Sequence, residues 1–314
     1  MATVRGWLLA ALVGSLLVAV APASIGDAPV GAAATQAGAA GGDGGGLLGV
    51  PTAGHHAPAS FRAAVLTPQG FDRYRYDAAT QGRVVVSAPP SNRGANLRSV
   101  WWSTDDRSVV DAQSCVTWTS FDGPLVQAGI ALRVRQAGDR TVALTVTNNV
   151  WAGARAGWNV HAWSGDWESS RLLGQALLTE AFGESVFQEP PLPWRICART
   201  VGATLEFKAW SLREHADVAW GDPRYGAAIL LPDDVVRAGR AGWYVGHLGS
   251  GDRSTFTSLD AGPLSLSGLD ALTVRERAAA GCVARVTALA ASPWVRTRTA
   301  GCGQAAPGSV VEPG

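Results

Sequence analysis

Leu205-Glu206-Phe207-Lys208-Ala209-Trp210 is the stretch that decides the fold class. Apolar Leu205, Phe207 and Ala209 alternate with Glu206, Lys208 and Trp210. A period of two puts the first set on one face of a strand and the second on the other. A turn-rich loop follows, carrying Asp217, Trp220, Gly221, Asp222, Pro223 and Gly226. Beyond it come the apolar run Ala227-Ala228-Ile229-Leu230-Leu231 and a Pro232-Asp233-Asp234 break. The aromatic run Ala241-Gly242-Trp243-Tyr244-Val245-Gly246-His247-Leu248 closes the stretch. Short β-branched and aromatic runs punctuated by Gly, Pro and Asp predict an all-β protein with these strands near its centre.

Upstream the same texture recurs. Val84-Val85-Val86, Val100-Trp101-Trp102 and Cys115-Val116-Thr117-Trp118 read as strands, the last ended by Asp122-Gly123-Pro124. Two runs alternate cleanly. Ile130, Leu132 and Val134 are expected inward with Arg133 and Arg135 outward, and Val142, Leu144 and Val146 inward with threonines outward. Residues 136–140, with Gly138 and Asp139, make the hairpin connection between them. In Trp158-Asn159-Val160-His161-Ala162-Trp163, Trp158, Val160 and Ala162 share one face and Asn159, His161 and Trp163 the other. Residues 168–182 are open between one surface helix and a strand with its loop, because their apolar run is short. Short segments continue at 254–259 and 264–274, while the Ala-rich residues 275–289 show no decisive period. Arg155-Ala156-Gly157-Trp158 and Arg240-Ala241-Gly242-Trp243 echo one another, as two strands entering one sandwich by similar turns would.

Composition bounds the rest. Arg5, the apolar residues 7–20 and Ala21-Pro22-Ala23 have the layout of a secretory signal peptide, which assigns residues 1–23 to a leader and the protein to the extracellular space. Residues 24–58, rich in Gly and Ala, are expected as a disordered linker, leaving a sandwich domain over 59–292 and a tail over 293–314. No later run is apolar enough to predict another membrane span. The net charge of +1 and the lack of a basic cluster exclude the electrostatic signature of a nucleic-acid binder. The four cysteines, Cys115, Cys197, Cys282 and Cys302, are an even count in a chain read as secreted. Three connectivities are open, and Cys115–Cys197 with Cys282–Cys302 is preferred because the first two lie in strand-like runs and the last two close a short loop. A monomer is expected.

In this order, Val100-Trp101-Trp102-Ser103, Gln113-Ser114-Cys115-Val116-Thr117-Trp118, Ala131-Leu132-Arg133-Val134 and the runs at 158–163, 205–210 and 242–248 resemble concanavalin A-like (LamG-like) jelly-roll domains of actinobacterial secreted proteins. The resemblance spans residues 61–274 and lies in strand texture. It implies a two-sheet antiparallel jelly-roll sandwich with one curved sheet, and a tendency to bind carbohydrate. That fold carries lectins, glycoside hydrolases and interaction modules alike, so function rests on residues.

Laminarinase-like enzymes of this fold carry E-x-D-x-E or E-x-D-x-x-E on one strand, and neither occurs here. The nearest pair, Asp166 and Glu168, has Ser164 where the first Glu would stand, and a solvated turn is the simpler reading. Glu180, Glu184 and Glu189 read as charged surface. No G-x-S-x-G elbow, H-E-x-x-H helix or phosphate loop is present. Strand tryptophans remain, and indole offers sugar C–H faces a flat partner with a donor at its edge. The outward set Asn159, His161, Trp163, Glu206, Lys208, Trp210 and Tyr244 forms one aromatic–polar groove if its strands share a curved sheet. The competing expectation is that Trp163 and Trp210 pack inside under a loop. Trp158 and Trp243 are assigned to the core, and His247 to a structural role. Calcium is the candidate cofactor, with Asp105, Asp106, Asp217, Asp222, Asp233 and Asp234 as hard oxygen donors that no loop motif organises. The expected function is a secreted, non-catalytic module binding a glycan or another extracellular surface. A divergent glycoside hydrolase or lyase and a structural or protein-interaction domain are the alternatives.

Overall fold

The computed structural model describes residues 61–67, 73–79, 82–92, 96–104, 106–149, 157–164, 170–182 and 192–290, with backbone alone at 79, 179 and 280–290. The leader, the linker, the tail, Asp105, the Asp166/Glu168 pair and the Cys282–Cys302 bridge lie outside the described residues or side chains.

Among the described residues fourteen strands form two antiparallel sheets of seven. Sheet I runs β1 (Phe61–Val65), β4 (Arg98–Ser103), β13 (Arg240–Gly246), β6 (Gln127–Ala137), β7 (Arg140–Asn148), β8 (Gly157–Trp163), β9 (Ser170–Leu177). Sheet II runs β12 (Gly226–Leu230), β11 (Thr204–Ser211), β10 (Trp194–Val201), β5 (Ala112–Asp122), β14 (Arg253–Pro263), β3 (Arg83–Ser87), β2 (Arg75–Ala79). The fold is the two-sheet antiparallel sandwich that the resemblance implies, built of the strands that the alternation predicts. Residues 168–182 resolve as strand β9 and the single turn α1 (Thr179–Phe182). Residues 268 onward differ from an all-β reading: α2 (Gly268–Ala290) is a helix laid on the β12 and β11 end of sheet II.

Aromatics fill the space between the sheets. Trp101 lies 5.9 Å from Trp243 on the neighbouring strand of sheet I and 5.2 Å from Phe256 of sheet II across the interface. Trp118, Trp158, Phe182 and Phe207 surround Trp194, or one another, at 4.6–6.4 Å. Separations of about 4.5–7 Å are those of favourable ring pairs. Polar clasps join the sheets through this layer. Trp243 Nε1 donates to the Cys115 carbonyl at 2.9 Å, and Ser114 Oγ to the Gly242 carbonyl at 2.8 Å. Trp158 and Trp243, the two echoed tryptophans, both enter this core from sheet I.

Period two fails once on β6, with consequences. Two residues, Arg133 and Val134, occupy the interval between the Leu132–Leu144 and Arg135–Val142 pairs, a β-bulge with Arg133 at φ 52°. Val134, expected in the core, therefore joins the cluster on the outer face of sheet I with Tyr244, Trp102 and Trp163. Arg133, expected outside, is 2 % exposed, and its guanidinium donates to the carbonyls of Val110, Val235 and Gly202. Gly239 makes room for the bulge, since a Cβ there would stand 2.3 Å from the Arg133 carbonyl carbon.

Candidate functional site

The seven groove candidates divide between the sheets. Asn159, His161 and Trp163 lie on β8 and Tyr244 on β13, all in sheet I, whereas Glu206, Lys208 and Trp210 lie on β11 in sheet II. The premise of one shared sheet therefore fails, and each half has its own surroundings.

The sheet II half is a closed ionic network. Glu206, 1 % exposed, accepts Arg199 at 2.7 Å and Arg277 of α2 at 2.8 Å. Lys208 Nζ bonds Asp217 at 2.8 Å and sits 4.8 Å from the Trp210 ring and 5.0 Å from Trp220. Burial pulls the Lys208 ammonium below its ordinary pKa, with Asp217 opposing. Arg199 stacks 4.2 Å over Trp220. Trp210 is 2 % exposed and donates its indole N–H to the His215 carbonyl, the buried-under-a-loop placement weighed above. These groups are consumed by one another and hold the 212–225 connection and α2 against the sheet.

The sheet I half forms a trough. The β4 residue Arg98 places its guanidinium carbon 5.4 Å from the ring of Trp163 on β8, although β13, β6 and β7 lie between. In a flat sheet four interstrand steps would separate those strands by roughly 19 Å. The sheet must therefore curl, with its outer face concave. On this face registered pairs run Asn159–Thr147–Gly129–Tyr244–Val100, then His161–Thr145–Ala131–Gly242. The small residues at the centre leave room for the flat rings of Tyr244 and Trp102. Tyr244 bends over Gly246, where a Cβ would meet its hydroxyl at 2.4 Å, and donates to Gln127 Oε1 at 3.0 Å.

Polar atoms in the trough are not all consumed. Trp163 is 5 % exposed, buried like Trp210 as the competing expectation had it, and its Nε1 donates to Thr145 Oγ1 at 2.8 Å. Trp102 Nε1 and Asn159 Oδ1, both buried, have no hydrogen-bond partner among the described residues. Sequence reasoning missed Trp102 and Arg98 as trough residues. Consecutive tryptophans signal only that one of them must point away from the core, not which one does. His161 is pushed down from 6.5 to about 4, first by burial and then by the Arg98 charge.

That shift carries a prediction. Between pH 6.5 and 4 the unfolded chain protonates His161 and the folded chain does not, so stability falls as pH drops through this window. The depression corresponds to a loss of about 3 kcal/mol between pH 7 and pH 4. His161→Gln should flatten that part of the curve. Urea midpoints measured across the window test it, and parallel curves for the two proteins would refute it.

At the β8 end the trough meets a cavity of about 360 Å³. Its walls include Trp163, Ala143, Val142, Arg133, Arg135 and Arg171, with Asp234 and Arg237 at the rim from the connection between β12 and β13. The volume falls in the range of small-ligand sites. The seven strands of sheet I carry Arg62, Arg98, Arg133, Arg135, Arg140, Arg171 and Arg240 and no Asp or Glu. Among the described residues no cluster of three or more His, Cys, Asp or Glu is placed to hold a metal. The calcium candidates Asp217, Asp222 and Asp234 are each ion-paired, with Lys208, Arg224 and Arg171. No described helix is long and apolar enough to cross a membrane.

No family model matches the chain, and no curated protein matches it. Among solved structures it is similar to the carbohydrate-binding module CBM66 from Bacillus subtilis, with TM-score 0.39, 10 % identity, and 64 % of this chain covering 94 % of that one. It is also similar to the Ca²⁺/Man3GlcNAc-bound VIP36 exoplasmic/lumenal domain, with TM-score 0.41, 10 % identity and coverages of 66 % and 84 %. A Bacillus subtilis protein of unknown function with a galectin-like fold gives TM-score 0.41, 10 % identity and coverages of 66 % and 90 %.

Proposed function

We propose that the protein is a secreted, non-catalytic β-sandwich module of the concanavalin A-like (LamG-like) kind, and that the concave face of sheet I binds a glycan. One observation carries the reading. The concave face presents half-buried Asn159 and His161 above a floor of buried aromatics, and Asn159 Oδ1 has no hydrogen-bond partner among the described residues. A buried polar atom without a partner is costly, and a sugar hydroxyl can donate to an amide oxygen. The absence of Asp and Glu from all seven strands of sheet I supports binding over hydrolysis, because a glycosidase of this fold needs paired carboxyl groups on its groove.

The test is a glycan array followed by calorimetry on the best hit. Asn159→Ala should lower affinity roughly tenfold, the scale of one lost buried hydrogen bond. Trp163→Phe should lower it further while keeping an aromatic in the wall. A blank array, or a hit that both variants bind as tightly as the parent, sinks the glycan reading.

A further inference from the structure

Resting on the glycan reading, a narrower assignment follows from the cavity at the β8 end of the trough. We infer that the ligand is an acidic glycan and that this cavity receives its anionic substituent, a carboxylate or a sulfate.

Charge is the first argument. Four arginines, Arg133, Arg135, Arg171 and Arg237, line the cavity against a single carboxylate, Asp234. The chain as a whole is close to neutral at +1, so this is a local concentration of one sign and not a basic protein showing through. The strands beneath it add no acid. A concave, partly apolar wall strengthens such a field because less water screens it.

The state of each guanidinium is the second. Arg133 is deeply buried, and only neutral carbonyls accept its N–H groups. Asp111, whose carboxylate accepts the Gly202 N–H, is the opposing charge nearby, and no salt bridge joins it to Arg133. Arg171 pairs with Asp234 at 2.6 Å, but both side chains are exposed, at 47 % and 63 %. Such a pair exchanges readily. Arg237 donates to the carbonyls of Asp233 and Val236 on its own turn. Arg135 is half-buried and makes no hydrogen bond or ion pair to a described residue. An ordered frame of charge around one unengaged guanidinium is suited to bidentate capture of a planar carboxylate or of a sulfate.

Position is the third. Trp163 belongs to both the trough cluster and the cavity wall. A glycan lying over Asn159 and His161 on the same strand therefore meets the arginines at the β8 end.

Two variants with opposite expected signs test this without depending on a fold-breaking change. The probes are a neutral oligosaccharide, its uronic-acid counterpart and its sulfated counterpart, each titrated into the intact protein at low and at physiological salt. The acidic probes should bind at least tenfold tighter than the neutral one, with an advantage that shrinks as salt rises. Arg135→Gln should erase most of that advantage and leave the neutral probe unchanged. Asp234→Asn, which frees Arg171, should enlarge it severalfold. Preference for the uronate over the sulfate, or the reverse, identifies which anion the cavity takes, and either supports the assignment. Equal binding of neutral and acidic probes, or an acidic preference untouched by both variants, overturns the assignment and leaves the glycan reading standing. Failure of every probe removes both.

Discussion

Replacing Glu206 by glutamine is expected to cost about 3–5 kcal/mol of folding stability, the range for removing one partner from a buried ion pair. Glutamine keeps the shape and loses the charge. Glu206 is 1 % exposed and faces two guanidiniums, Arg199 at 2.7 Å and Arg277 at 2.8 Å. Without it Arg199, whose side chain is 10 % exposed, is left beside Lys208, which already engages the Asp217 carboxylate. The two arginines are not equivalent. Arg277 is 30 % exposed, so water can take over part of its solvation, and Arg277→Ala should cost only about 1 kcal/mol. Arg277→Ala should also loosen α2, because Arg277 is packed under Gly221, where a Cβ would stand 2.6 Å from it. Equilibrium denaturation of the three proteins gives the comparison. A Glu206→Gln variant within about 0.5 kcal/mol of the parent would mean the network is solvated, contrary to its burial.

The local signals in the sequence were sufficient for most strands and for their inward faces. Leu205, Phe207 and Ala209 face the core, and so do Trp158, Val160 and Ala162, because period two is a property of the backbone itself. What alternation does not encode is which strands pair. β8 and β11 have the same aromatic–polar texture but belong to different sheets, so a groove assembled from both could not exist as drawn. The Arg133 bulge was invisible for a related reason. Its partners are carbonyls at Val110, Gly202 and Val235, and the space for it comes from Gly239, all distant in sequence. The helix α2 escaped because its apolar pattern is blurred. Val274 and Ala278 are buried against sheet II, but Leu269 and Leu272 are 79 % and 52 % exposed. The trough itself could not be read, since curvature enough to bring Arg98 to Trp163 is a property of the whole sheet.

Removal of the Cys115–Cys197 bridge should destabilise the protein by about 4–5 kcal/mol, and by a different route from Glu206. The two cysteines are registered partners on β5 and β10, with Cα atoms 4.1 Å apart and a sequence separation of 82. They sit in the middle of a ladder whose neighbouring pairs, Ile196–Val116 and Ala198–Ser114, remain hydrogen-bonded strands without any sulfur. The folded state therefore changes little in a Cys115→Ala/Cys197→Ala protein. The unfolded chain changes more, because a closed loop of that length becomes open, and the loop-closure relation puts the entropy gain near 4.5 kcal/mol at 25 °C. Two signatures separate this from a lost native contact. The dependence of stability on denaturant should steepen, since the opened chain exposes more surface, whereas Glu206→Gln should shift the midpoint at constant slope. Refolding should slow more than unfolding speeds up, because β5 and β10 must now find each other across the open loop. Denaturation of the parent with and without reductant, beside the double variant, measures both. Peptide mapping of the unreduced protein should recover Cys115 linked to Cys197. A midpoint unchanged by reductant, with that peptide present before reduction, would show that the unfolded chain is already held compact between β5 and β10 by its Trp-rich segments and not by the bridge.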